Sequence, residues 1–299
     1  MGLFYNYNFN IRLVEKTPGT EMFSSRGKVL KELRSDTALF KREPVCVLAD
    51  PFLLEKDGWL HLFYECQIRH RGKGVLRMIR TKDLESWTEP VTVLEEPFHL
   101  SFPNVFEDNG RYYMLPETGA DGSIRLYSSE DLVHWTLYRV ILQDGRQWAD
   151  STIVAKDGKY FLISSVYNSF KDIRMHVFVS DSLDGEFREL PCSPVDADSS
   201  CARNAGSVFS FEGLLYRPAQ DCSEGYGKNM SIMEITNLSA ESYEERPASR
   251  LILDKTDGFF RRGGHQFNPV VFRGRTIVAL DGKQRNYNII DKLRSFRKK

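Results

Sequence analysis

Five copies of one hairpin pattern constrain this chain more than any other feature. The segments ADPFLLEKDGWLHLFYE (49–65), SFPNVFEDNGRYYMLPE (101–117), ADSTIVAKDGKYFLISS (149–165), AGSVFSFEGLLYRPAQ (205–220) and FNPVVFRGRTIVALDG (267–282) share one order of features. Each runs through an apolar stretch, a tight turn with glycine and a second stretch rich in aromatic and β-branched residues, the form of a β-hairpin. The turn glycines Gly58, Gly110, Gly158, Gly213 and Gly274 lie 52, 48, 55 and 61 residues apart, a spacing that a four-stranded propeller blade fills. Between the hairpins come TKDLESWTE (81–89), SSEDLVHWTLY (128–138), SDSLDGEFREL (180–190) and, more loosely, EITNLSAESYEE (234–245). These are the expected links from the third strand of a blade to its outermost fourth.

One blade cannot bury both of its faces, so five stacked around an axis supply the core and leave only short edges. The expected fold class is therefore all-β: a single five-bladed β-propeller domain over residues 1–299, with four-stranded antiparallel blades around a central pocket. A β-sandwich with chance similarity between its hairpins is the alternative. NYNFNIRLV (6–14) alternates polar and apolar residues and is the expected ring-closing strand of the last blade. Residues 17–42 are the least regular, with GKVLKELRSD read as a short helix or a charged loop.

Composition narrows the partners. With 41 Lys+Arg against 41 Asp+Glu, no polyelectrolyte attraction to nucleic acid or anionic membrane is written into the whole chain. No stretch approaches 18 apolar residues and the opening lacks an apolar h-region, so neither membrane insertion nor an export signal is expected. The five cysteines form an odd set without a CxxC pair. That argues against a zinc site or a disulfide framework, leaves a Cys192–Cys201 bridge open, and makes a reducing, cytoplasmic location the expectation. GxGxxG, P-loop, HExxH and GxSxG patterns are absent, which leaves nucleotide-cofactor and serine-hydrolase chemistry without support.

Aligning the hairpins on their glycines gives a register. Asp50 and Asp150 stand 8 residues before their turns, while Glu65, Glu117, Gln220 and Asp281 stand 7 after theirs. An antiparallel hairpin returns to the end from which it started, so all six are expected at one mouth of the ring. A single Asp at a strand start is usually a turn or cap residue; repetition in register is what argues for a site. Like charges gathered in a partly desolvated pocket raise some carboxyl pKa values, which separates an acid from a base. Asp50, Glu117 and Asp150 are the expected catalytic residues.

Residues that suit sugar recognition flank them. They are Glu65, His99, Trp148 with an indole to stack on a sugar face, Arg217, Gln220, Asp221, Tyr226, His265, Gln266 and Asn268. Ordering of loops is the plain alternative for each taken singly. No obligatory cofactor is expected, although Ca²⁺ accepts clustered carboxylates and carbonyls and remains open for the central pocket.

ADPFLLEKDGWLHLFYE, the Asp of WADSTIV and the DL..W links resemble the five-bladed glycoside hydrolases of family 43 and their relatives. HLSFPNVFEDNGRYYMLPETGADGSIRLY and GLLYRPAQDCSEGYG more closely resemble the propeller at the N-terminus of plant glucosamine inositolphosphorylceramide transferases and its bacterial relatives, over about residues 45–285. The first resemblance implies an inverting glycosidase with an Asp base in blade one, an acid-tuning Asp in blade three and a Glu acid opening blade four. Asp50 and Asp150 take the first two positions. The third, in Arg203–Gly206, carries no carboxylate, so Glu117, Glu65 or Asp221 supplies the acid or the reaction is not performed; Glu117, in PETG, is preferred. The expected function is carboxylate-catalysed glycoside hydrolysis. The alternative is a non-catalytic glycan-binding domain serving a glycosyltransferase, with a glycan or glycoconjugate as ligand.

Overall fold

A computed structural model describes residues 6–35, 44–68, 71–169, 172–195 and 197–286. The chain opens with β1 (Asn6–Lys16) and β2 (Lys28–Leu33). Blade one is β3 (Val45–Lys56), β4 (Trp59–Ile68), β5 (Gly74–Thr81) and β6 (Val91–Leu94). Blade two is β7 (Ser101–Asp108), β8 (Arg111–Glu117), β9 (Ser123–Ser129) and β10 (Thr136–Gln143). Blade three is β11 (Trp148–Lys156), β12 (Lys159–Ser169), β13 (Asp172–Ser180) and β14 (Arg188–Glu189). In blade four the inner strand is broken into β15 (Arg203–Asn204) and β16 (Phe209–Phe211), followed by β17 (Leu214–Asp221), β18 (Asn229–Leu238) and β19 (Tyr243–Ser249). β20 (Phe267–Phe272) and β21 (Arg275–Asn286) begin blade five, and β1 and β2 complete it in the order β2-β1-β21-β20. The architecture is a five-bladed β-propeller, all-β as expected.

The five inner hairpins share one turn geometry. Asp57-Gly58, Asn109-Gly110, Asp157-Gly158, Glu212-Gly213 and Arg273-Gly274 all have positive φ at both positions, as a two-residue type I′ turn requires. That common turn is why glycine alignment recovers the register. The DL..W links are equally regular: Thr81 and Ser129 accept the N–H of Leu84 and Leu132 at 2.9 Å each. Asp83 and Asp131 cap the next two backbone amides.

Five apolar clusters fill the spaces between blades. Phe52 and Phe63 meet Phe102 and Met114 between blades one and two; Leu115 and Leu126 meet Trp148 and Leu162 between two and three. Phe161 and Val177 meet Ile235 and Leu238 between three and four, and Tyr216 and Ile232 meet Phe267 and Leu280 between four and five. Ile11, Leu13 and Ile277 meet Leu48, Leu60 and Leu62 between five and one. Blade four therefore joins blade five, and blade five joins blade one, so the ring has no open side.

β1 is the ring-closing strand, pairing with β21 from Asn6↔Asn286 to Lys16↔Thr276. The stretch read as a short helix or charged loop is instead the edge strand β2, paired with β1 as Ile11↔Leu33 and Arg12↔Glu32. The Arg12–Glu32 ion pair at 2.6 Å holds it in register. Its charges suit an exposed edge, where they discourage pairing with another sheet. None of the five cysteines is in a disulfide, so there is no Cys192–Cys201 bridge. Among the described residues the only helix is one 3-10 turn at Gly119–Asp121, and no helix is long and apolar enough to cross a membrane.

Candidate functional site

The residues 8 before each turn glycine occupy a strained backbone position in the first three blades. Asp50, Phe102 and Asp150 have φ of 50°, 48° and 48°, and each sits where the pairing of its hairpin slips, between Ala49 and Phe52, Ser101 and Asn104, and Ala149 and Thr152. Such a bulge re-aims one side chain and disrupts the ladder locally. Left-handed backbone strain held in place by surroundings clusters at functional sites. In blade two the position belongs to Phe102, whose ring packs 4.8 Å from Phe52 in the core, so the carboxylate of that blade comes from the returning strand as Glu117.

The freed amides bind carboxylates of the preceding blade. Asp50 N–H donates to Asp281 Oδ2 at 3.3 Å, Phe102 N–H to Asp50 Oδ2 at 3.1 Å, and Asp150 N–H to Glu117 Oε2 at 3.3 Å. The carboxylate ring is thus linked from blade five through blade three by the backbone distortion that points its members inward.

Two basic groups divide this ring. Arg203, from the short strand opening blade four, donates to Asp150 Oδ2 at 2.5 Å and to Glu117 Oε2 at 3.1 Å. Gln220 also donates to Asp150 Oδ2, at 2.5 Å. On the other side His265 Nδ1 lies 2.6 Å from Asp281 Oδ2 and 3.5 Å from Asp50 Oδ1, contacts of charge rather than aligned hydrogen bonds. The His265 ring stacks on Phe9 at 4.2 Å, and Tyr226 lies at 4.9 Å from it. Half-buried Tyr226 is also 5.4 Å from the Arg203 guanidinium, so it spans the two halves. His99 Nδ1 accepts from Gly74 N–H at 2.8 Å, and its Nε2 lies 3.4 Å from Glu65 Oε1. A Cβ on Gly74 would stand 2.4 Å from Leu100 O and 2.8 Å from Glu65 Oε1, so this corner requires glycine.

Burial governs the protonation of the ring. It is the largest cause lifting Asp50 to about 7, opposed by His265 and reinforced by Asp150 and Asp281. Burial and then the charge of Asp50 lift Glu65 to about 8. Burial, then Asp150, holds Glu117 well above the carboxylate range despite Arg203. Burial opposes charge on His265, but Asp281, Asp50 and Asp150 together keep its pKa above the usual imidazole value. The Glu117 side chain is 20 % exposed, against 2 % for Asp150 and 6 % for Asp50. It is therefore the carboxyl of these three best able to touch a ligand.

Asp50, His265 and Asp281 offer one ligand atom each within 4.8 Å of one another. Two carboxylates and an imidazole fit Ca²⁺ poorly, because calcium takes six to eight oxygens. The raised pKa of His265 favours a positive charge between the two acids.

Four expected site residues lie elsewhere. Trp148 is 1 % exposed; its indole N–H donates to Asp144, and its ring packs against His176 and Phe178 in the core. Arg217 is fully buried in a bidentate pair with Glu245, at 2.9 and 2.5 Å, and also binds Asn204 and Cys201 O. Asn268 joins blades, accepting from Leu53 N–H and donating to Ser207. Asp221 caps Ser223 and faces a neighbouring cavity. By contrast, Asp50, Glu65, Glu117, Asp150, Gln220, Tyr226, His265 and, through Glu65, His99 are joined by the contacts above. Gln266, at the register position of Asp50 and Asp150, is fully buried with its amide nitrogen and oxygen unpartnered.

A family model described as glucosamine inositolphosphorylceramide transferase 1, N-terminal, matches residues 29–268. The chain belongs to this family. Glucosamine inositolphosphorylceramide transferase 1 of Arabidopsis thaliana is 37% identical over 209 residues, covering 68% of this chain and 27% of the relative. The protein of that name from Oryza sativa subsp. japonica is 31% identical over 250 residues, covering 80% and 33%. The chain thus spans a third or less of the length of these curated relatives. Among solved structures, an α-L-arabinofuranosidase of Podospora anserina in complex with cellotriose superposes with a TM-score of 0.59 over 93% of this chain and 97% of that one, at 11% identity. That likeness is one of fold. In this member of the transferase N-terminal family, sequence reasoning passed over Arg203 as a missing acid and left Asp281 outside the site set. The hairpin register marked Asp281 directly; Arg203 carried only the signal that a basic residue stood where an acid was sought.

Proposed function

We propose that the axial pocket binds a glycan without cleaving it, as the recognition part of a protein of the glycosyltransferase family to which the chain belongs. Arg203 carries this reading. It stands in the slot where the family-43 resemblance calls for a proton donor, and a guanidinium stays charged at any ordinary pH. Its contacts also tie down Asp150 and Glu117, while Asp50 is engaged by Phe102 N–H and His265. Carboxyls held in this way serve as fixed partners for hydroxyls. The buried, unpartnered amide of Gln266 offers a further donor and acceptor, and a buried polar group of this kind calls for a partner.

The second reading is hydrolysis with Glu117 as acid and Asp50 as base. One observation favours it: Glu117 is partly exposed and its pKa is raised well above the ordinary carboxylate value by burial. Calorimetric titration with aryl furanosides, aryl pyranosides and oligosaccharides, with product release followed in the same samples, separates the two. Saturable binding without release supports recognition. Catalytic release replaces it with hydrolysis, and absence of both sinks the glycan reading.

A further inference from the structure

Beside the axial pocket lies a cavity of about 650 Å³ whose lining is cationic. Lys228, Lys255, Arg261, Arg262 and Lys283 surround it, against the two acids Asp221 and Glu224, an excess of three positive charges. Asp221 is already engaged, its Oδ1 accepting from the Ser223 amide and hydroxyl. Arg261, Arg262 and the Lys228 ammonium have no ion-pair or hydrogen-bond partner among the described residues, and all three are exposed. Cations of a structural network would be paired. These are crowded together with fewer acids than cations in the lining.

The cavity adjoins the axial pocket through one wall. Lys283 lies two residues beyond Asp281 on β21, and alternate residues of a strand share a face. Its ammonium donates to Tyr226 O at 2.7 Å and stands 5.8 Å from the Tyr226 ring, the same ring that approaches Arg203 and His265.

Resting on the glycan reading above, we propose that this cavity receives a phosphate group carried by the glycan whose sugar occupies the axial pocket. Paired arginines present forked donors that match phosphate oxygens, and lysines add point charge. An excess of three positive charges suits a dianion better than a single carboxylate. Lys255 supports the assignment: burial, and then Lys228 and Lys283, lower its pKa to about 8, a crowding that a bound dianion relieves.

The test is calorimetry of three probes, inorganic phosphate, glucose 1-phosphate and glucose, on the wild type and the Arg261→Ala/Arg262→Ala variant. Both arginines are exposed and unpartnered, so the variant keeps its fold, checked by its melting curve. Both phosphate probes are expected to bind the wild type and to bind the double variant at least about tenfold more weakly, as expected for loss of bidentate contacts. Glucose is expected to be indifferent to the substitutions. Phosphate affinity that is absent, or unchanged in the variant, overturns the cavity while any glycan binding leaves the axial reading standing. Loss of inorganic phosphate binding in the variant supports the cavity even where the neutral glycans fail to bind, and the failure then falls on the axial reading.

Discussion

Arg203 Nε lies 2.5 Å from Asp150 Oδ2, deep in the ring, with side-chain exposures of 11% and 2%. The pair fixes how the axial carboxylates are used, because one guanidinium binds both Asp150 and Glu117. Removing one member of a buried ion pair costs about 3–5 kcal/mol, much of it from the charge left behind. Arg203→Ala is expected to lose about that much in urea unfolding, and Arg203→Ala/Asp150→Asn to recover part of it. Additive losses in the double variant would contradict the coupling.

Arg217 and Trp148 are expected to act on stability. Arg217→Ala leaves buried Glu245 unpaired and is expected to cost about 3–5 kcal/mol; Trp148→Ala empties a core position for about the same. Tyr226→Ala, at a half-buried wall, is expected to weaken glycan binding about tenfold with a much smaller change in unfolding, since aromatic stacking and hot-spot contacts carry such energies. Calorimetry beside denaturant titration separates these groups of variants.

Trp148 shows where legibility ended. The hairpins, their period and the ring-closing strand were readable because five I′ turns fix one glycine position and blade packing fixes the spacing. Trp148 stands two residues before Asp150, and regular alternation would aim both the same way. The left-handed bulge at Asp150 breaks that alternation, so the indole enters the core while the carboxyl meets the axis. A one-residue bulge leaves no periodic trace in sequence. Edge strand β2 was hidden for another reason: its Lys28, Lys31 and Glu32 erase the apolar alternation that marks a strand. Arg203 and Asn204 form a two-residue strand, too short to carry a pattern.

Glu65 gives a pH dependence. Its pKa is raised from 4.5 to about 8 by burial and Asp50, so between those values the folded state holds a proton that the unfolded state has released. Stability contributed by this group is complete below about pH 4.5 and is lost as pH rises towards 8. The wild type is expected to melt at a lower temperature at pH 8 than at pH 5, with a flatter dependence in Glu65→Gln. Equal slopes would contradict the assignment.

The Asp50, His265 and Asp281 cluster is expected to respond weakly to calcium, because its donors suit an imidazolium bridge better than an oxygen cage. Melting temperature with 1 mM CaCl₂ and with EDTA should agree within about 1 °C, the shift expected from weak linkage. A rise of several degrees would instead assign the cluster to a metal.

The most direct test of the central claim is to titrate wild type and Glu117→Gln with the same oligosaccharide panel while following product release. Burial raises the Glu117 pKa well above the ordinary carboxylate value, which favours the neutral acid, and glutamine is a near-isostere of that form. The account predicts glycan affinity within about threefold of wild type, a change of no more than about 0.7 kcal/mol, and no catalytic release by either protein. Catalytic release by the wild type that Glu117→Gln abolishes would contradict it and make Glu117 the acid of a hydrolase.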